Sequence, residues 1–130
     1  MAELDYAFLA DLAQIEGGKL SALGASYTHA QVRGASRMWV TSIAGRVRAS
    51  IDEGPVQLDI RIVSPSRVFE MRQSDELVAG PEARPYEGTV GILFASTVGF
   101  PIIEAGLYEV FISLEGEQVR RLAFDMSVVE

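Results

Sequence analysis

The chain holds one histidine and no cysteine, and these two counts decide much of the chemistry open to it. His29 could serve as a general base if a carboxylate oriented its ring, and Asp11 is the carboxylate available for a hydrolase of that kind. No nucleophile accompanies the pair: no serine stands in a G-x-S-x-G elbow, and there is no thiol. A structural or surface role for His29 is therefore the favoured reading, and no residue is assigned as catalytic. A structural zinc site needs several converging nitrogen or sulfur ligands, which a lone histidine cannot supply. No D-x-D-x-D-G calcium loop occurs, and Glu16, Asp52 and Glu53 fall in turns, where solvated acids are common. Neither a metal nor a cofactor is expected. Gly17-Gly18-Lys19 lacks the remaining spacing of a phosphate loop and the helix after it, so it reads as a hairpin turn.

Binding by stacking or by apolar contact remains. Tyr27 and His29 near the end of one strand, and Trp39 at the start of the next, could form a platform for a small ligand or carbohydrate, with Tyr86 and Phe100 as further aromatics. Asp11 shares a strand face with Ala7, Leu9, Ala13 and Ile15. A carboxylate buried there must be paired, and Arg46, Arg48 and Arg121 are the candidate partners. If Tyr108, Val110 and Ile112 face a core, Leu107 and Phe111 face outwards, with Ala123 opposite them; Leu93 and Ala95 add to a second apolar face. A contiguous patch of this kind marks an interaction surface, so self-association or a protein partner is expected there.

These residues need a scaffold, and the clearest part of it is the last third of the chain. Tyr108, Val110, Ile112 and Leu114 alternate on one arm and Leu122, Phe124, Met126 and Val128 on another, with Glu115-Gly116 as the turn between them. Ala105-Gly106-Leu107-Tyr108 has the form of a tyrosine corner, which places Tyr108 as a structural residue. About eight strands are predicted, over 4–15, 19–29, 38–49, 56–63, 67–79, 88–97, 107–114 and 117–128. Segment 4–15 also fits a helix, since Leu4, Phe8, Leu12 and Ile15 are spaced for one; 98–106 reads as an irregular crossover. The expected inter-sheet core is Trp39, Ile60, Ile62, Phe94, Val110, Ile112 and Phe124. The fold class is all-β, an immunoglobulin-like Greek-key sandwich in one domain over 1–130, with a jelly roll as the alternative.

Composition narrows the partners. Of the 130 residues 48% are hydrophobic and 22% charged, as in a globular domain. The net charge of −7 opposes nucleic acid, and Arg46 with Arg48 and Arg120 with Arg121 read as solvated outer faces. No run approaches the roughly 18 apolar residues of a membrane span, and the start carries no secretory signal, so a cytoplasmic location is expected.

Several stretches then coincide with a known pattern: Leu4-Asp5-Tyr6-Ala7-Phe8-Leu9-Ala10-Asp11, Gly18-Lys19-Leu20, Leu23-Gly24-Ala25-Ser26-Tyr27, Ala44-Gly45-Arg46-Val47, Gly106-Leu107-Tyr108, Gly116-Glu117 and Arg121-Leu122-Ala123-Phe124. On these the chain resembles a family of small uncharacterised bacterial proteins. The resemblance implies an all-β domain, tips segment 4–15 towards strand, and brings no catalytic residues with it. Members have two glycines before the aromatic of the second strand, where this chain has Gly24 and Ala25. The function is accordingly unassigned. The leading expectation is a non-enzymatic protein-interaction or assembly module, a homodimer; the alternatives are a small-ligand or carbohydrate-binding sandwich and a hydrolase using His29.

Overall fold

The computed structural model describes residues 2–34, 37–81 and 83–130. Gly34-Ala35-Ser36 is a turn signal between the predicted strands 19–29 and 38–49, and its Ala35 and Ser36 lie outside the described residues. The described residues form ten strands: β1 (Glu3–Ala10), β2 (Leu12–Glu16), β3 (Lys19–Leu23), β4 (His29–Arg33), β5 (Arg37–Ser50), β6 (Val56–Val63), β7 (Glu70–Leu77), β8 (Thr89–Ile102), β9 (Gly106–Leu114) and β10 (Glu117–Val129). They build a three-stranded sheet in the order β1-β5-β8, a five-stranded sheet in the order β4-β10-β9-β6-β7, and a β2-β3 ribbon. All pairings are antiparallel except that of β4 with β10, which is parallel.

Period-two burial explains the two larger sheets. Val56, Leu58, Ile60 and Ile62 of β6 are buried, while Gln57, Asp59 and Arg61 lie on the outer face. The inner rows of β9 and β10, from Tyr108 to Leu114 and at Phe124 and Met126, meet Ile43, Val47, Ile92, Phe94 and Phe100 from the other sheet in one core cluster. Every expected core residue is buried except Trp39, which is half-buried against the margin of that cluster.

Four expected elements are corrected. Segment 4–15 is neither one strand nor a helix, because the chain bends at Asp11 and β2 leaves the sheet. Segment 19–29 stops at Leu23, where Gly24 and Ser26 take positive φ (61° and 64°), and β4 begins at His29. Segment 67–79 shrinks to β7. Strand β8 runs on to Ile102 through most of the supposed crossover, since Val98, Phe100 and Ile102 keep the buried phase. Pro101 is tolerated because β8 is the last strand of its sheet, where a missing amide need not break a ladder.

The ribbon rests on the outer face of the three-stranded sheet. Ala10, Ala13 and Ala44 make a small second core there, with Phe8, Leu20 and Ala95 packed on it. The Ala13 amide donates to Ser42 Oγ at 3.1 Å, and Ser42 Oγ lies 3.1 Å from Thr97 Oγ1. This contact accounts for the apolar outer phase of β8 at Ala95.

Two places show tight backbone constraint. The register of β1 shifts between Leu4 and Tyr6, opposite Val47 and Arg46, just before Ala7 pairs with Gly45. A Cβ on Gly45 would press into the Tyr6 carbonyl and come within 2.8 Å of the Phe94 ring. The second is the corner between β8 and β9. The Tyr108 hydroxyl donates to the Glu104 carbonyl at 2.9 Å. The Glu104 carboxylate accepts from the Ser66 hydroxyl and from its amide at 3.1 Å. Gly106, at φ 127°, leaves room for Pro65.

We predict that Gly45→Ala destabilises the protein by about 1–3 kcal/mol, as overpacking of a closed site does. Gly54→Ala, with open space at its Cβ, should stay within about 0.5 kcal/mol of wild type. Urea unfolding of both variants checks this. The hydrogen bonds from Ser66 hold the Glu104 carboxyl below its ordinary value. A group lowered in the folded state stabilises above its unfolded pKa, and that stabilisation is lost as pH falls through the folded one. The urea midpoint should therefore drop on acidification, and less steeply in Glu104→Gln. Equal slopes would count against the Glu104 contact.

Candidate functional site

The two aromatics expected to form a platform do come together, but as part of the wall. Trp39 Nε1 donates to the Tyr27 hydroxyl at 3.1 Å, and that hydroxyl lies 2.6 Å from Thr41 Oγ1. The Thr41 hydroxyl donates its one proton to the Ala10 carbonyl at 2.9 Å. It must then accept from Tyr27, so the chain of bonds has one direction: Trp39 to Tyr27 to Thr41 to Ala10. Burial raises the Tyr27 pKa, against the opposing effect of its bonds to Thr41 and Trp39. The rings of Tyr27 and Trp39 meet edge-on, 6.1 Å between centroids, and Tyr27 also packs edge-on against Phe124 at 5.5 Å. Polar groups already committed in this way are poorly placed to recognise a sugar.

His29 stands apart from that chain. It is exposed at the start of β4, with Nδ1 3.2 Å from the Thr28 hydroxyl. Among the described residues no hydrogen bond or ion pair joins it to Asp11, and no group of three or more metal-ligating side chains occurs.

The ion pair expected for Asp11 is corrected. Asp11 is exposed at the bend between β1 and β2, and among the described residues it has no arginine partner. Its carboxylate lies over Gly24, in the space where a Cβ would stand. Water can solvate the charge there, so no partner is required. The arginines pair elsewhere: Arg46 with Asp5 at 2.8 Å, Arg48 with Glu3 at 2.5 Å, and Arg121 with Glu109 at 2.7 Å. The signal missed in the sequence is the Asp5 and Glu3 phase of β1, which the register sets beside Arg46 and Arg48.

The apolar face expected around Leu107, Phe111 and Ala123 is interrupted. Leu107 is exposed, but Phe111 and Ala123 are half-buried. The Arg61 guanidinium caps the Phe111 ring at 4.5 Å from its centroid. Ala123 pairs with Glu109, and Phe111 with Arg121, so charges stand between the apolar side chains. Leu93 and Ala95 belong to the other sheet.

The concavity that sequence reasoning missed lies at the tip of the ribbon. It is a cleft of about 380 Å³, lined by Ile15, Val78, Pro81, Ala83, Ile92 and Leu93 and by glycines 17, 18, 80 and 91. Among the described residues its lining side chains carry no polar group. A smaller recess of about 180 Å³ shares Val78 and Ile92 with it and reaches Glu53 and Pro55. Three separated stretches of chain build the cleft, so no local motif could reveal it.

Tyr27→Phe should cost about 1–3 kcal/mol, because the Trp39 N–H loses its acceptor in a partly buried place. Emission of the single tryptophan should change in parallel. Wild-type stability and emission in Tyr27→Phe would refute the directed chain.

No curated protein matches the chain. Among solved structures it is similar to the Pseudomonas fluorescens alkylpurine DNA glycosylase AlkC, with 11% identity, TM-score 0.41 and coverage of 75% of this chain and 27% of that one. It is similar also to the Lin-41 filamin domain (16%, TM-score 0.34, covering 78% and 84%) and to a Listeria innocua beta-glucosidase (10%, TM-score 0.39, covering 80% and 15%). The chain thus spans about a quarter of the glycosylase and a smaller share of the glucosidase. A family model matches residues 5–127, from the first strand to the last, and the chain belongs to that family, the family of unknown function DUF6941.

Proposed function

We propose that this protein is a protein-interaction or assembly module built on an immunoglobulin-like Greek-key sandwich. Three features support the finer fold reading over a jelly roll: the β9-β10 hairpin beside β6, the parallel placement of β4 along β10, and the Tyr108 corner at the start of β9. One observation carries the functional reading. The cleft at the ribbon tip lies within the size range of a binding site, about 300–1,000 Å³, yet among the described residues its lining side chains are all apolar. Such a wall suits the apolar side chains of a protein partner better than a sugar or an anion. The expected cytoplasmic location and homodimer stand as part of this proposal. Self-association would use the outer face of β9 and β10 at Leu107 and Phe111, beside the paired charges described above.

A photo-crosslinking residue at Val78, which is exposed and lines the cleft, should trap a protein in the native host. The same residue at Val119, on β10 and away from the cleft, should not. Absence of any adduct at Val78 would overturn the reading. Light scattering at micromolar concentration addresses self-association separately. A dimer is expected for wild type and a folded monomer for Phe111→Glu; a monomeric wild type removes the homodimer.

A further inference from the structure

Strands β2 and β3 pair only with each other, whereas every other strand belongs to one of the two larger sheets. A two-stranded ribbon is marginal on its own and needs a surface to rest on. Here that seat is thin. The buried residues of the small core under the ribbon are all alanines, Ala10, Ala13 and Ala44, while Leu20 is half-buried and Ile15 exposed. Among the described residues, the main core includes none between Asp11 and Leu23. Among them also, one hydrogen bond joins the ribbon to the sheet below, from the Ala13 amide to Ser42 Oγ. The chain is fixed just beneath the ribbon instead. The Ala10 carbonyl accepts from the Thr41 hydroxyl at 2.9 Å, and the Ser26 amide donates to the Leu9 carbonyl at 2.6 Å. The first rung of the ribbon is the bond from the Asp11 amide to the Leu23 carbonyl, at 2.9 Å. Between anchors and rung lie the bend at Asp11 on one arm and Gly24, at φ 61°, on the other.

We infer that the β2-β3 ribbon is a flap, which lifts off the three-stranded sheet as one unit about Asp11 and Gly24 while the sandwich stays folded. Lifting breaks the bond from Ala13 to Ser42 and uncovers Ala44 and Ala95, but no part of the main core has to open. An element with few buried contacts opens at a free energy well below that of global unfolding. The movement bears on the candidate site. Ile15, Gly17 and Gly18 form the ribbon's side of the cleft, so the cleft exists only while the flap is down. A partner seated there binds the closed state alone and shifts the flap towards it. The flap goes beyond the interaction-module reading and does not depend on it.

The natural chain has no cysteine, so one introduced thiol reports opening without interference. Ala44→Cys places it under the ribbon, and Val47→Cys places it on the same strand but in the main core. Each folded variant is labelled with a maleimide, and its rate is taken relative to that of its unfolded chain. Ala44→Cys should react at least about tenfold faster than Val47→Cys, because it needs only the local opening. Its rate should stay nearly flat with urea below the unfolding transition, since lifting exposes little surface. Adding Ser42→Ala should speed it about three- to tenfold, the factor set by one lost hydrogen bond. Hydrogen exchange of the unsubstituted protein guards against distortion by the new thiol. The amides of 12–23 should exchange well before those of 107–114 in β9. Thiols of equal reactivity with the same urea dependence, or ribbon amides as protected as those of β9, would overturn the flap. Neither measurement involves a partner, so the crosslinks at Val78 judge the interaction-module reading separately.

Discussion

Tyr108 is the residue on which the two sheets agree. Its ring is fully buried, stacked on Phe124 at 5.6 Å and tilted against Phe100 at 6.0 Å, so it touches β10 in its own sheet and β8 in the other. Each such aromatic pair adds about 0.5–1.5 kcal/mol beyond burial. The row continues to Phe69 on one side and through Phe124 to Tyr27 and Trp39 on the other. The Tyr108 hydroxyl meanwhile fixes the turn into β9 through Glu104, whose carboxylate ties that turn to the loop after β6. One side chain therefore sets both the spacing of the sheets and the angle at which the chain crosses between them.

The β2-β3 ribbon depends on this frame and gives it its candidate site. Small residues let the ribbon lie close: Ala10, Ala13 and Ala44 allow an approach that larger side chains would block. Ser42 accepts from the Ala13 amide, so a buried backbone donor at the ribbon's base is satisfied. The Tyr27 hydroxyl anchors the chain on its way back to β4, through Thr41 to the end of β1. Held at both ends, the ribbon projects Ile15 and its turn glycines over the start of β8, and the cleft forms between them.

Charge is arranged differently from apolar surface. The arginines of the outer faces are largely matched, as in Arg46 with Asp5, Arg61 with Glu70 and Arg121 with Glu109. Exposed pairs of this type add little stability, on the order of 0–1 kcal/mol each. Their larger consequence is to cancel the positive charge locally, which leaves the surplus acids to set the sign of the field. The same pairing divides the outer face of β9 and β10, where Arg61 covers the Phe111 ring.

The sequence by itself determined what depends on local periodicity. Strand β6, the final hairpin with its Glu115-Gly116 turn, the buried phase at Phe94, Ile112 and Phe124, and the Tyr108 corner were legible because alternation and turn chemistry act over a few residues. The all-β class followed from the same patterns, and the family from the resemblance carried by stretches such as Ala44-Gly45-Arg46-Val47 and Gly106-Leu107-Tyr108. Tertiary structure alone decided the bend at Asp11, the lifting of β2 and β3 onto the outer face, the extension of β8 past Pro101 and the partners of the arginines. Each of these depends on what stands opposite a residue rather than beside it in the chain. Asp11 looked buried because its neighbours in sequence are apolar, yet the bend turns it to water. The cleft is the extreme case, since the wall from Ile15 to Gly18 meets residues from Val78 onward, at least sixty positions later in the chain; hydrophobic patterning fixes which face of a strand is buried, but only packing fixes where two covered faces fail to meet.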